Sequence, residues 1–305
     1  MPEVNYIKDT VSPSKVFEGY TEGVHAADTS KAIWKISRTS IIGAQTKIEW
    51  AFNSKREVTF DQVWDNRDTL FPVAAFFNSK SVSFDGINDL VTLGNASLLN
   101  FERTDPISGF CWVKLDTIAN SVDFFSKSDT TTQKGWHFNF QNTTNSIQFG
   151  ERSSGSNLFI MRGDQAMVAG TWYHVGFTYD GSSSSLGVKL YINGAQIANT
   201  STNNNLSVSI TNSIIASAGS RGGLSSFFDG HIDEISIWTG ELSAAEISEI
   251  YNGGVPRNPL DTTFFYKLIE AWRMGDGDIS PTILGVKNIL SGTLSNGAAI
   301  VEVAP

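Results

Sequence analysis

The chain has 305 residues, 40% of them hydrophobic and 17% charged, with a formal net charge of −9. That length and apolar share support a substantial core and exclude a disordered chain or a marginal miniprotein. The negative field repels phosphate backbones and anionic membranes, which sets nucleic acid and membrane surfaces aside as partners. The single cysteine, Cys111, lies in the apolar run FCWVKL and cannot form an intrachain disulfide, so it reads as a small buried side chain. The opening MPEVNYIKDTVSPSK has no apolar stretch behind a basic start, and no later run approaches the roughly 18 apolar residues of a membrane span. No signal peptide or spanning helix is expected.

In chain order, residues 1 to about 30 are polar with little periodicity and read as an extended arm. Ala32 to Ser40 and Thr46 to Phe52 are rich in β-branched and aromatic residues around Gly43, which predicts a hairpin. Val58 to Pro72 keeps bulky residues at Phe60, Val63, Trp64, Leu70 and Phe71. Residues 1–75 therefore form a small β module, or an added β layer of the larger domain that begins near residue 76. From Ser81 a series of short alternating segments is punctuated by Asp85-Gly86, Asp180-Gly181, Asn193-Gly194 and Asp229-Gly230, pairs that supply the positive φ of tight turns. Segments such as Trp136, Phe138, Phe140 against His137, Asn139, Gln141 have one apolar and one polar face, as a sheet buried on one side requires. Leu242, Ile247, Ile250 and Tyr251 behind Ser243 and Glu246 predict one short helix with a capping box, stopped at Gly253 and Gly254. The expected class is all-β, a two-sheet antiparallel sandwich of residues 76–305.

Four blocks, FDGINDLVTL (Phe84 to Leu93), TWYHVGFTYDG (Thr171 to Gly181), VKLYINGAQI (Val188 to Ile197) and FDGHIDEISIWTGELSAAEI (Phe228 to Ile247), resemble in order the laminin-G-like, concanavalin A-like jelly-roll modules. The resemblance implies a sandwich that binds glycans or proteins, often with calcium. It suggests Asp85, the carbonyl of Gly86 and Asp233 as a calcium site. The alternative is that Asp85 and Asp229 cap turns while Asp233 pairs with a cation. Residues 256–305 resemble the strand pair that opens such modules but stand after the helix. They are expected either to close their own sandwich or to enter a neighbour's sheet. Ala32 to Pro72 resembles the N-terminal segment of tail- or capsid-associated bacteriophage proteins, which implies a virion-docking role for residues 1–75.

Glucanase relatives carry E-x-D-x-E on one strand, so that alternate carboxyls share a cleft. Here Asp233 and Glu234 are adjacent, and strict alternation sends them to opposite faces. The four histidines are scattered, and no zinc, Ser-elbow or phosphate-loop pattern occurs. An enzyme is not expected. Sugar recognition needs polar groups for hydroxyls and aromatic faces; Asn139, Gln141, Arg152, Tyr191 and Arg221 are the candidates. Trp112, Trp136, Trp172 and Trp238 fall at strand positions that the resembled family uses as core. The expected function is a bacteriophage virion protein displaying a lectin-like domain, homo-oligomeric in the assembly beside other virion proteins. The rivals are a soluble bacterial carbohydrate-binding protein and a purely structural contact module.

Overall fold

The computed structural model describes residues 78–305 except 95, 96, 130 and 288, together with the backbone of four strands before residue 51. The chain divides into two compact units, Met1–Phe76 and Phe77–Pro305. In the first, β1 (Val4–Ser12), β2 (Lys15–Glu22), β3 (Trp34–Ile42) and β4 (Gln45–Trp50) pair in sequence as an antiparallel sheet. The β3–β4 hairpin follows the expectation for that stretch. The extended arm does not: β1 pairs with β2, with Val4 opposite Glu22 and Thr10 opposite Val16. Val4, Tyr6, Ile7, Val16, Phe17 and Tyr20 supply the β-branched and aromatic residues that favour strands. The stretch Val58 to Pro72 lies outside the described residues.

The second unit is a sandwich. Its strands are β5 (Ser81–Asp85), β6 (Leu90–Thr92), β7 (Ile107–Leu115), β8 (Val122–Ser128), β9 (Gly135–Gln141), β10 (Ser146–Ser154), β11 (Asn157–Gly163), β12 (Trp172–Tyr179), β13 (Val188–Ile192), β14 (Ala195–Gln196), β15 (Asn199–Asn204), β16 (Ser217–Ala218) and β17 (Asp229–Thr239). The chain then runs through the helix Ala244–Tyr251 to β18 (Leu268–Trp272), β19 (Thr282–Ile283), β20 (Gly292–Ser295) and β21 (Ala299–Val301). One sheet has nine strands in the order β15-β11-β10-β9-β8-β16-β6-β20-β19. The other has the order β14-β13-β12-β7-β17-β5-β21, with β18 also on β17. The C-terminal strands thus join both sheets of their own chain, β20 on β6 and β21 on β5.

Phenylalanines from facing strands fill the space between the sheets. Phe149 of β10 stacks on Phe177 of β12 at 3.8 Å, and Phe138 lies 5.2 Å from Phe177. Each such ring contributes about 1.5–3 kcal/mol by leaving water. Cys111 is buried in this core. A second cluster, Phe110, Tyr191, Trp238, Leu242, Ile247 and Phe264, covers the outer face of the eight-stranded sheet beneath the helix and the following segment. The helix opens with the expected capping box: the Ser243 hydroxyl accepts from Glu246 N–H and the Glu246 carboxylate accepts from Ser243 N–H. Its left-handed cap is Asn252 (φ 50°, ψ 41°), one residue ahead of the expected glycine. Between β13 and β14, Asn193 and Gly194 both adopt positive φ, 52° and 75°, the geometry of a tight hairpin turn.

Candidate functional site

Opposed residues of an antiparallel pair share a face, so the registers fix what lies on the outer side of the nine-stranded sheet. One row runs from Arg162 through Gln148 and Asn139 to Asp123. The next runs from Ile160 over Gly150 to His137 and Ser126, then to Ser217 and Thr92. Gly150 leaves space that its neighbours use: a Cβ there would sit 3.1 Å from both His137 Cε1 and Ile160 Cγ1.

The loop between β16 and β17 adds Arg221. Its Nε and Nη2 donate to the two Asp123 oxygens at 3.0 and 2.8 Å, a two-pronged ion pair with the carboxylate fully buried. Burial raises the Asp123 pKa more than the guanidinium lowers it. Burial also opposes the Arg221 charge, yet the Asp123 carboxylate holds that guanidinium above its ordinary pKa. The backbone fixes the loop here, because Asp123 N–H donates to Ser226 O and Arg221 N–H to Ser225 O, at 2.9 and 2.8 Å.

Within the rows, Arg162 Nε donates to Gln148 Oε1 at 2.8 Å. That orients the amide so that Gln148 Nε2 donates to His137 Nε2 at 3.3 Å. His137 must then be neutral and protonated on Nδ1. Burial, with the charges of Arg221 and Arg152 adding to it, holds its pKa well below the ordinary value. His137 Nδ1 is buried without a hydrogen-bond partner, and so is Asn139 Oδ1, whose amide nitrogen donates to Phe140 O at 3.2 Å. A donor and an acceptor therefore lack partners two residues apart on one face of β9, both enclosed beneath the surface. Buried polar atoms left without partners cost roughly 1–3 kcal/mol each.

Of the five expected ligand residues, Asn139, Gln141, Arg152 and Arg221 meet on or beside this face. Gln141 closes its end of β9, where its side-chain carbonyl accepts from the Ser121 hydroxyl. Tyr191 does not join them. It lies 3% exposed on the outer face of the other sheet, 6.4 Å from the Phe110 ring, because its strand register places it under the helix. Sequence reasoning also missed His137, Asp123, Gln148 and Arg162. His137 was legible from the alternation of β9, whereas Asp123 and Gln148 required the pairing register.

The expected calcium ligands do not fit one ion. Asp85 pairs with Asp229 and Asp233 with Trp112, four residues further along β17 and about 13 Å away. Calcium takes ligand oxygens at about 2.3–2.6 Å. The Asp85 carboxylate instead caps its turn by accepting from Ile87 N–H at 2.9 Å. Among the described residues no group of three or more His, Cys, Asp or Glu side chains is placed to hold a metal.

The Asp233–Glu234 pair departs from strict alternation as well. β17 shifts register between Asp233 and Ser236, and Glu234 adopts φ 47°. This bulge brings both carboxyls to one nitrogen, Asn78 Nδ2, at 2.8 and 3.0 Å. Burial raises both pKa values, that of Glu234 to about 8 with Arg273 opposing, and that of Asp233 further through the Glu234 charge. The pair is sealed, since the neighbouring space lined by Trp112, His174, Glu234 and Arg257 holds about one water molecule.

The family model of the concanavalin A-like lectin/glucanases superfamily matches residues 85–248, more than half of the chain. The chain belongs to this superfamily. No curated protein matches the sequence. Among solved structures it is similar to a candidate carbohydrate-binding protein of Bacteroides ovatus ATCC 8483, with TM-score 0.54, 12% identity, and coverage of 89% of this chain and 68% of that one. It is also similar to a heptameric SAP-like pentraxin of Limulus polyphemus, with TM-score 0.48, 14% identity, and coverage of 74% and 96%. A third is the CBM40 module of a Ruminococcus gnavus IT-sialidase bound to α2,3-sialyllactose, with TM-score 0.42, 14% identity, and coverage of 55% and 96%.

Proposed function

We propose that this member of the superfamily is a non-catalytic carbohydrate-binding protein, and that the sugar lies on the outer face of the nine-stranded sheet. The observation that carries the reading is the polar outer face itself, where Gln141, Arg152, Arg162 and Arg221 remain part-exposed around the buried His137, Asn139 and Gln148. Sugar hydroxyls both donate and accept, so a pyranose edge answers guanidinium and amide groups on such a face. The likeness to the Bacteroides ovatus protein supports the same direction. The absence of turnover is part of the proposal: the one carboxyl pair that a bulge brings together is enclosed, with no room beside it for a sugar ring.

The test is a glycan array with the intact chain, followed by titration of the strongest sugar. Arg162→Ala should weaken that sugar about tenfold, the worth of a hydrogen bond to a charged group, with the melting temperature checked in parallel. An array without signal, or an Arg162→Ala protein that binds as tightly as wild type, refutes the site.

The finer proposal is that the sandwich is displayed on a bacteriophage particle, with residues 1–75 docking it among other virion proteins and copies of itself. What supports it is the resemblance of Ala32 to Pro72 to particle-associated segments. A chain lacking residues 1–75 should fail to join particles; full occupancy by the truncated chain overturns the docking role. The same sugar site serves a free bacterial binding protein, which the Bacteroides ovatus likeness favours.

A further inference from the structure

The charges around the sugar face do not balance. The Asp123 carboxylate is taken by both prongs of Arg221. Arg162 is held by the neutral Gln148 amide and forms no ion pair among the described residues. Arg152 is the second such cation. It sits on the outer face of β10 in register with Gly135, a residue without a side chain to oppose it. Its one hydrogen bond goes to Gly155 O at 3.4 Å, and among the described residues it forms no ion pair. Burial and the nearby Arg221 charge both depress its pKa, so the guanidinium is half-buried beside a second cation. A protein with net charge −9 has carboxylates in surplus, yet none stands at this guanidinium.

A cation in that position is stabilised by an anion brought from outside. Arg162 points the same way, because on the same outer face its part-exposed guanidinium meets only the neutral Gln148 amide among the described residues. From Arg152 and Arg162 we infer that the ligand of this face is an acidic glycan, whose carboxylate or sulfate binds Arg152. The inference rests on the sugar-binding reading above and narrows it to one charge class.

The experiment titrates the full chain with three probes: an oligogalacturonate, the corresponding neutral oligogalactose, and a sulfated dextran oligosaccharide. An acidic probe should bind at least about tenfold tighter than the neutral one, the effect of one charge-assisted hydrogen-bond pair. Raising salt should narrow the gap. Arg152→Gln should abolish the acidic preference. Arg152→Lys, which keeps the charge but loses the fork, should retain part of it. Preference for the galacturonate or for the sulfated sugar identifies the anion as carboxylate or sulfate. Equal binding of acidic and neutral sugars, with Arg152→Gln silent, overturns the inference and leaves sugar binding intact. Binding of no sugar by wild type removes both readings.

Discussion

Glu151 offers a sharp test of the folded state. It points into the sandwich from β10, opposite Trp136 on one side and Phe159 on the other. The residue is fully buried, and neither carboxyl oxygen has a hydrogen-bond partner. Burial pushes its pKa well above the ordinary 4.5, and the charges of Glu102 and Asp105 push it further while Arg103 opposes. In the unfolded chain the group ionises near its ordinary value. Between that value and the folded pKa, the folded protein therefore binds one proton more than the unfolded one, and stability falls as pH rises. The slope for one group is about 1.4 kcal/mol per pH unit.

Glu151→Gln removes the titration while keeping the shape. Urea unfolding of wild type and variant should give similar stabilities near pH 4.5, within about 1 kcal/mol, because both side chains are then neutral and poorly satisfied. Above pH 5.5 the variant should gain on wild type, by about 1.4 kcal/mol per pH unit for as long as the pH stays below the raised folded pKa. Asp123, Asp233 and Glu234 also titrate upward-shifted, but they are common to both proteins and cancel in the difference. Parallel stability curves across that range would mean that Glu151 is ionised in the fold, and the reasoning would fail.

Removing Arg221 leaves the Asp123 carboxylate buried and alone, so Arg221→Met should cost about 3–5 kcal/mol in urea unfolding, and Asp123→Asn added to it should restore part of the loss. Ser243→Ala deletes the helix cap and should lower stability by about 1 kcal/mol. Gly176→Ala would place a Cβ 2.0 Å from Phe110 Cδ1, so it should destabilise by about 1–3 kcal/mol or more, and Phe110→Leu should relieve it. Burial holds the His174 pKa down to about 3; its ring NMR shifts should stay flat from pH 8 to about 4, whereas titration near 6.5 would place the ring in water.

The sandwich was legible because its signals are local. Alternation in β9, the Asn193-Gly194 turn and the Ser243/Glu246 box each specify a backbone state within a few residues. The proposed sugar face was legible only in part. Asn139 and Gln141 could be placed together because they share one strand, but Asp123 and Arg221 are 98 residues apart and meet through a loop geometry that no local pattern encodes. Tyr191 misled for the converse reason. Its strand alternates correctly, yet whether its outward face meets solvent or a second layer depends on where the helix docks. The Asp233–Glu234 pair failed at the bulge, where one extra residue breaks the period of two on which face assignment rests.

These particulars share a cause. In a two-sheet sandwich, alternation tells which side chains face the core, but the side chains that face outward divide according to what covers each sheet. On the eight-stranded sheet the outward set is Phe110, Trp238 and Tyr191, apolar enough to hold the helix and the segment leading to β18. On the nine-stranded sheet the outward set is Asp123, His137, Asn139, Gln148 and Arg162, a polar layer that pairs largely within itself and with Arg221 and leaves Arg162 part-exposed. The helix therefore docks on one sheet, and the proposed recognition falls to the other. Exchanging the polarity of a single position tests this division: His137→Phe should stabilise the fold while removing sugar binding, since it converts an unsatisfied polar site into packing. A His137→Phe protein that is less stable than wild type yet still binds sugar would show that the face serves the fold rather than a ligand.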